Sequence, residues 1–425
     1  MKIFYAAQIS NFTIKDGEQK FILSTDACMN LCVGIISNIL DRKSNYKFLI
    51  AVPDINLVAD YTDYYDLFER KYHNNLQFIQ YCSPIGPVDT RFHFDFLFWK
   101  EMGREFKDVN VMINDQNTLT KNWNALFYAL GLLNIPIVST NYYLDSPLSS
   151  KVPSKITYFE RMMESLNNSN LTAFQCEASK KEALDAYNYF YRSQTLRGAS
   201  TTWNTGVWVK EIEKHKTTNR YAVPVIYFGN RISDSANRYN NYHTFAEAVG
   251  ILFRKYKPTK VFNCIMLNPT KKVTDAQLQL IAKLSNGNVI VHENDKSWTR
   301  EDYIRFINAA HISCNLFTNE VHGGVTHAEA MAAGNIVIMP RINNYAFKFR
   351  GISEDKYPFF CRLKRDKQLD AESIADKMNL ALETIYNGQF KSYSLLCKKL
   401  AYQFESYENA SIKIIKDLNS LVKGK

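Results

Sequence analysis

The chain has 425 residues, which suggests two domains at roughly 100–200 residues each. Hydrophobic residues make up 46% and charged residues 22%, which excludes bulk disorder, and no window approaches roughly 18 uninterrupted apolar residues, which argues against a spanning helix. The net charge of +10 favours an anionic partner (nucleic acid, a membrane surface or a phosphorylated substrate), although a solvated Lys-rich surface gives the same sum.

The N-terminus, Met1 to Ile9, turns polar too soon for a secretory segment and reads as a first strand, so a cytoplasmic chain is expected. Further strands are predicted at Tyr46–Val52, Leu76–Tyr81, Val109–Asn114, Ile135–Thr140, Ala222–Phe228, Lys260–Leu267, Asn288–Val291, His311–Phe317 and Asn335–Met339. Many are rich in Val and Ile without clean alternation, the pattern of parallel strands buried on both faces. Helical patterns separate them at Cys28–Asp41, Thr120–Leu133, His243–Lys255, Asp275–Ser285, Thr299–Ala309 and Thr326–Ala333. The repeated alternation predicts an α/β protein with parallel sheets. It pauses between about Lys180 and Lys216, read as the link between two doubly wound domains. The expected boundaries are 1–205, 206–390 and a helical tail, 391–425, that crosses back to the first domain. Such sheets bind ligands at the carboxyl ends of their strands.

The eight cysteines (Cys28, Cys32, Cys82, Cys176, Cys264, Cys314, Cys361, Cys397) are scattered in apolar runs and read as free thiols acting as small hydrophobes. Cys28 and Cys32 share a helix face but lack a second pair of metal spacing, and no metal site is predicted.

Three segments carry candidate chemistry. The first runs from Glu320 through His322, Gly323, Gly324, Thr326, His327 and Glu329 to Gly334. A strand enters a glycine pair, then a short helix. Adjacent glycines let backbone N–H groups approach a phosphate at a helix N-terminus, and Glu329 is placed to accept from a ribose diol. The plain alternative is a βαβ turn with a surface glutamate. In the second segment a strand ends in Gly229-Asn230-Arg231 with Arg238 following; Arg suits bidentate phosphate binding, and a solvated loop is the alternative. In the third, N-terminal strands end in Asn114-Asp115 and in Asn141 with Asp145 beyond. Asp145 or Asp115 could orient or deprotonate an acceptor hydroxyl, or simply cap a helix. No Asp-x-Asp stands beside a strand, so a metal–diphosphate bridge is unsupported; GxxxxGK[ST] and GxSxG are also absent.

Together these segments resemble the retaining, glycogen-synthase-like glycosyltransferases of the GT-B fold. The family's acid, glycine, Glu-Ala-Met, small residues and glycine are similar to Glu320, Gly323-Gly324 and Glu329-Ala330-Met331-Ala332-Ala333-Gly334. Its diphosphate clamp is similar to Gly229, Arg231 and Arg238. Thr326-His327-Ala328-Glu329 further resembles the DNA α-glucosyltransferases of T-even-type phages. The two acids stand nine residues apart here, where the family usually has eight, Arg238 replaces a Lys, and the glycine-rich first loop is missing after Ile9.

The resemblance implies two Rossmann-like domains, an acceptor-side one first and a nucleotide-sugar-binding one second. It implies a nucleotide-sugar donor, most simply a UDP-sugar, and no tightly bound cofactor. Arg231, Arg238 and amides near Gly323-Gly324 would stabilise the departing diphosphate, Thr326 would join the donor site, and Glu329 would hold the ribose. Glu320 or His322 would contact the donor sugar; Asn114, Asp115, Asn141 and Asp145 would face the acceptor. Between Arg341 and Lys367 stand eight basic residues against three acidic ones, interleaved with Tyr345, Phe347, Phe349, Tyr357, Phe359 and Phe360. Phosphate contacts with stacking side chains would suit DNA carrying hydroxymethylated bases; a basic surface over an aromatic core is the alternative. A glycan or lipid acceptor, and a non-catalytic DNA-binding scaffold, are the competing functions. The sequence specifies no oligomeric state.

Overall fold

The computed structural model describes residues 1–9, 11–24, 26–81, 90, 93–115, 119–141, 163–191, 198–216, 219–229, 241–267, 273–292, 299–316, 325–365 and 368–424. The chain divides into two compact units, one formed by Met1–Thr205 with Tyr407–Lys425, the other by Gly206–Ser406. Each contains a parallel α/β sheet.

The strands of unit 1 are β1 (Lys2–Ala6), β2 (Phe12–Lys15), β3 (Glu18–Phe21), β4 (Lys47–Pro53), β5 (Leu76–Tyr81), β6 (Val111–Asn114), β7 (Ile137–Asn141), β8 (Leu171–Phe174) and β9 (Ala199–Thr202). The main sheet has the order β5-β4-β1-β6-β7-β8-β9 and every pairing in it is parallel. Strand order reverses between β1 and β6, where Ile3 pairs with Val111. Burial on both faces explains the unalternating sequence: β4 is buried from Phe48 onward. Under one face, Trp123 and Phe106 pack edge-on to Phe4 at 5.2 and 4.9 Å between ring centroids. The helix Ala27–Arg42 starts where the Asp26 carboxylate accepts from the Cys28 and Met29 amides.

Unit 2 holds β10 (Val225–Phe228), β11 (Asn263–Leu267), β12 (Ile290–His292), β13 (Ile312–Cys314), β14 (Ile336–Pro340) and β15 (Phe360–Cys361), in the order β12-β11-β10-β13-β14-β15. Its reversal falls between β10 and β13. Capping boxes open two of its helices: Thr274 with Gln277 before Asp275–Ser285, and Thr299 with Asp302 before Arg300–Ala309.

All ten predicted strands exist, but the expected pause does not. Residues 180–216 contain most of the helix Glu177–Phe190, then β9, then the helix Val209–Lys214, so the alternation continues through them. Thr-rich β9 hid because its Ala-Ser-Thr-Thr carries no apolar run. The β2–β3 hairpin was also missed, although Asp16 (φ 54°) and Gly17 (φ 82°) form the left-handed pair that an Asp-Gly hairpin turn needs. The helical tail, expected as one block from 391, is divided: Phe390–Glu405 lies in unit 2 and Tyr407–Lys423 in unit 1. The latter is fixed by Arg42, which donates to Ser411 Oγ and the Glu408 carbonyl, and by Trp203 Nε1 donating to Asp417 at 3.0 Å.

Seven cysteines are free and buried among the described residues, and no His/Cys/Asp/Glu group there could hold a metal ion; Cys82 lies outside them. No helix of the described residues is long and apolar enough to cross a membrane.

Candidate active site

In each unit the candidate residues that are described lie at or next to the strand ends where strand order reverses, the place at which open α/β sheets bind ligands. In unit 2, β10 ends at Gly229, whose N–H donates to the Cys314 carbonyl of β13 at 3.1 Å. A Cβ at Gly229 would stand 3.0 Å from both Asn315 Oδ1 and Ser313 Oγ. Asn315 follows β13 and is buried; its amide donates to Ser313 Oγ at 2.7 Å, and its Oδ1 accepts from the Thr326 hydroxyl at 3.0 Å. The structure therefore joins Gly229 and Thr326, 97 residues apart in sequence, through an asparagine that sequence reasoning passed over. Asn315 was hidden inside the predicted strand His311–Phe317, which in the structure ends at Cys314.

The chain leaves β10 at Gly229 towards Arg231 and Arg238, and leaves β13 at Asn315 towards Glu320, His322, Gly323 and Gly324. These six residues, and Asp145, lie outside the described residues.

Glu329 is not the surface glutamate of a plain turn. It sits on the helix Thr326–Ala332 with its side chain 7% exposed, and its carboxylate accepts from Arg300. Arg300 also grips Glu211 through Nε and Nη2, at 3.3 and 2.9 Å. Burial lowers the Arg300 guanidinium, but Glu329 and Glu211 outweigh it and hold it above its usual value. The Tyr303 phenol is pushed up by burial first and by Glu329 next. Nothing in the sequence spacing links Arg300, Glu211 and Glu329, so this cluster was not legible.

Beside it lies a second charged cluster. His327, Lys348 and Glu405 are 0%, 1% and 3% exposed. Glu405 Oε1 accepts from His327 at 3.2 Å and pairs with Lys348, which also contacts His327. The ring of Tyr345 stands edge-on to His327.

The far end of the motif is a structural clamp. Gly334 (φ 80°) ends the helix and Arg220 donates to the Ala333 and Gly334 carbonyls and to Asn335 Oδ1. Burial pushes Arg220 down to about 10.

In unit 1 the site residues are spent on one another. Gln8 Nε2 donates to Asn114 Oδ1 across the β1–β6 reversal, and Asn114 Nδ2 donates to Thr120 Oγ1, both at 3.1 Å. Thr120 Oγ1 lies 2.7 Å from Ser139 Oγ, which lies 2.7 Å from Ser169 Oγ. Thr140 donates to Asp115 at 3.1 Å. Its charge, after burial, helps to raise the Cys32 thiol, which leaves that cysteine inert. Asn141 ends β7 at 2% exposure, and neither end of its amide has a hydrogen-bond partner among the described residues. A buried amide in that state is a group waiting for a ligand or a neighbour.

The segment expected to stack on nucleic acid does not present its aromatics. Tyr345, Phe349, Tyr357, Phe359 and Phe360 are buried in the core of unit 2, and Lys348 is buried with them. These rings share one core with β14, and the Tyr357 hydroxyl donates to the Val337 carbonyl at 2.8 Å. Arg341, Arg350, Lys356, Arg362, Lys364 and Arg365 remain exposed; Lys367 lies outside the described residues. The segment is a basic surface over an aromatic core.

No protein-family profile matches the sequence. No curated protein matches it either. Solved structures do resemble the whole chain. A glycosyltransferase from Rickettsia africae has 13% identity and a TM-score of 0.66, covering 100% of this chain and 99% of its own. HepE from Anabaena, in complex with UDP-glucose, has 14% identity and a TM-score of 0.64, covering 99% of this chain and 100% of its own. An α,α-trehalose 6-phosphate synthase from Burkholderia multivorans has 11% identity and a TM-score of 0.63, covering 99% of each chain. With two parallel α/β sheets, each reversing its strand order once, the chain has the GT-B fold.

Proposed function

We propose that this protein is a glycosyltransferase that moves a sugar from a UDP-sugar to an acceptor hydroxyl with retention. The observation that carries the reading is the crevice of unit 2, where Gly229 meets Asn315 and Thr326 at the reversal of strand order. A glycine there lets a phosphate come up to the backbone, and the two cation- and glycine-bearing segments leave from neighbouring strand ends.

The chemistry asks for little covalent help. As the bond from the anomeric carbon to the diphosphate oxygen breaks, the acceptor oxygen attacks the same face and its proton passes to the departing diphosphate. Arg231 and Arg238 would stabilise the charge that develops on the leaving group. Glu329 would accept from the ribose on the oxygen that Arg300 does not hold; Arg300 keeps that carboxylate oriented. The sugar would meet Glu320 or His322. On the acceptor side, the open amide of Asn141 supports hydroxyl recognition, with Asp115 and Asp145 to orient the attacking group.

An anionic glycan is the acceptor we favour. The exposed cations from Arg341 to Arg365 would attract it, and it needs no stacking rings. A hydroxymethylated base in phage DNA, the acceptor implied by the T-even resemblance, would use the same cations without Phe349, Tyr357 or Phe359.

The test is a panel of UDP-sugars offered to an acidic oligosaccharide, hydroxymethylated DNA, plain DNA and no acceptor, with UDP release and sugar transfer both measured. Transfer lost in Arg231→Ala supports the transferase. Transfer to DNA alone would replace the glycan acceptor. Absence of turnover with every UDP-sugar would sink the enzyme reading.

A further inference from the structure

Unit 2 carries a cavity of about 420 Å³, within the range of small-ligand pockets, away from the crevice just described. Its walls are the helix Val209–Lys214, through Val209 and Glu213, and the helix Phe390–Glu405, through Lys398, Lys399, Tyr402 and Gln403. Spacings of three and four residues put these side chains on one face of each helix. Ala332, the last residue of the motif helix, closes the floor.

The position follows from the clamp at Gly334. A Cβ there would meet Lys398 Cε at 2.5 Å, and Arg220 holds the Gly334 carbonyl and that of Ala310, just before β13. Gly334 itself lies just before β14. The cavity thus sits at the amino ends of the strands, whereas Gly229, Asn315 and Thr326 sit at the carboxyl ends.

Its charge is unbalanced. Lys398 is half-buried, and neither it, Lys399 nor Lys216 makes a side-chain hydrogen bond or ion pair among the described residues. Burial lowers the Lys398 ammonium, and Lys216 and Arg220 lower it further; Glu213 opposes them. The wall itself carries two ammonium groups, Lys398 and Lys399, against the one carboxylate of Glu213, a balance that favours an anion. The rest of the wall suits a polyol. Tyr402 offers a half-exposed ring face, and Glu213 offers acceptors for hydroxyl groups.

We propose that this cavity binds a small phosphorylated sugar, its phosphate on Lys398 and Lys399 and its ring on Tyr402. The site is independent of the transferase reading and stands if that reading fails.

Isothermal titration of the full chain with glucose 6-phosphate, glucose and inorganic phosphate tests it. Saturable binding of glucose 6-phosphate, weakened about tenfold or more in Lys398→Met and in the exposed Lys399→Met, is expected. Glucose should not bind, and inorganic phosphate should bind more weakly than the ester by the loss that Tyr402→Ala also produces. Saturating UDP-glucose should leave the titration unchanged. Absence of binding by the ester overturns the proposal. So does binding that survives both lysine variants, binding displaced by UDP-glucose, or inorganic phosphate binding as tightly as the ester.

Discussion

The two strand reversals face the same problem and solve it differently. At β1–β6 the polar side chains answer one another in an uncharged chain from Gln8 through Asn114, Thr120 and Ser139 to Ser169. At β10–β13 a glycine stands beside one asparagine, and the buried polar groups nearby are charged: Arg300 between Glu211 and Glu329, and Lys348 and His327 on Glu405. An uncharged network fixes shape without holding a field. A charged one costs desolvation and is seldom the most stable way to fill a core. Unit 1 buries one carboxylate at its reversal, Asp115, whereas unit 2 buries opposite charges in pairs beside its crevice.

The largest expected effect breaks the charged side of the comparison. Glu405→Ala would leave Lys348 and His327 buried without their carboxylate, at a cost of about 3–5 kcal/mol in the unfolding of unit 2. Replacing Lys348 and Glu405 together by Met should recover much of it. Denaturant titrations followed by hydrogen exchange in each unit would read this, and a cost below about 1 kcal/mol for the single variant would show that the cluster is not buried as described. In unit 1 the matching change, Asn114→Ala, removes one hydrogen bond from the Gln8 amide and one from the Thr120 hydroxyl. Its expected cost is smaller, about 1–3 kcal/mol, because no charge is left behind.

Gly229→Ala sharpens the comparison at the crevice itself. The new methyl meets Asn315 Oδ1 and Ser313 Oγ at 3.0 Å, so those side chains must yield by a few tenths of an ångström. Stability should fall by under about 1 kcal/mol, while UDP-glucose affinity falls by about tenfold as the backbone is covered. Equal affinity by calorimetry would place the phosphates elsewhere.

The ease with which each region was read from sequence follows the same division. Strands β1, β4, β10 and β14 announce themselves because burial on both faces demands unbroken Val, Ile, Leu and Phe. The residues that end or follow β6, β7 and β10, Asn114, Asn141 and Gly229, are local signals that the sequence shows directly. β9 was missed for lack of an apolar run, and Asn315 because the predicted strand ran past it. The Arg300–Glu329 and Lys348–Glu405 pairs join residues 29 and 57 positions apart across different helices, and local spacing carries no trace of such contacts. The aromatics of 345–360 misled for a related reason. A ring beside a cation looks the same in sequence whether it faces solvent or fills the space behind β14, and only the depth of the sheet decides.

The last test asks whether the pH dependence of stability also divides between the units. His311 precedes β13, accepts from the Val225 amide through Nδ1, and is held down to about 4 by burial and then by Arg220. Its unfolded value is near the ordinary 6.5. Between those two values the unfolded chain therefore binds the extra proton, so stability rises with pH across the window and is flat above it. The contribution is lost as pH falls from 6.5 through 4. His311→Asn keeps an acceptor for Val225 and removes the titration. Carboxylates elsewhere titrate in both proteins, so the difference between the two stability profiles isolates the histidine. The wild-type profile should be the steeper one across that window, by at most one proton, with the change confined to exchange in unit 2. Parallel profiles would mean that His311 is solvated and that the interior of unit 2 is less closed around Arg220 than its hydrogen bonds indicate.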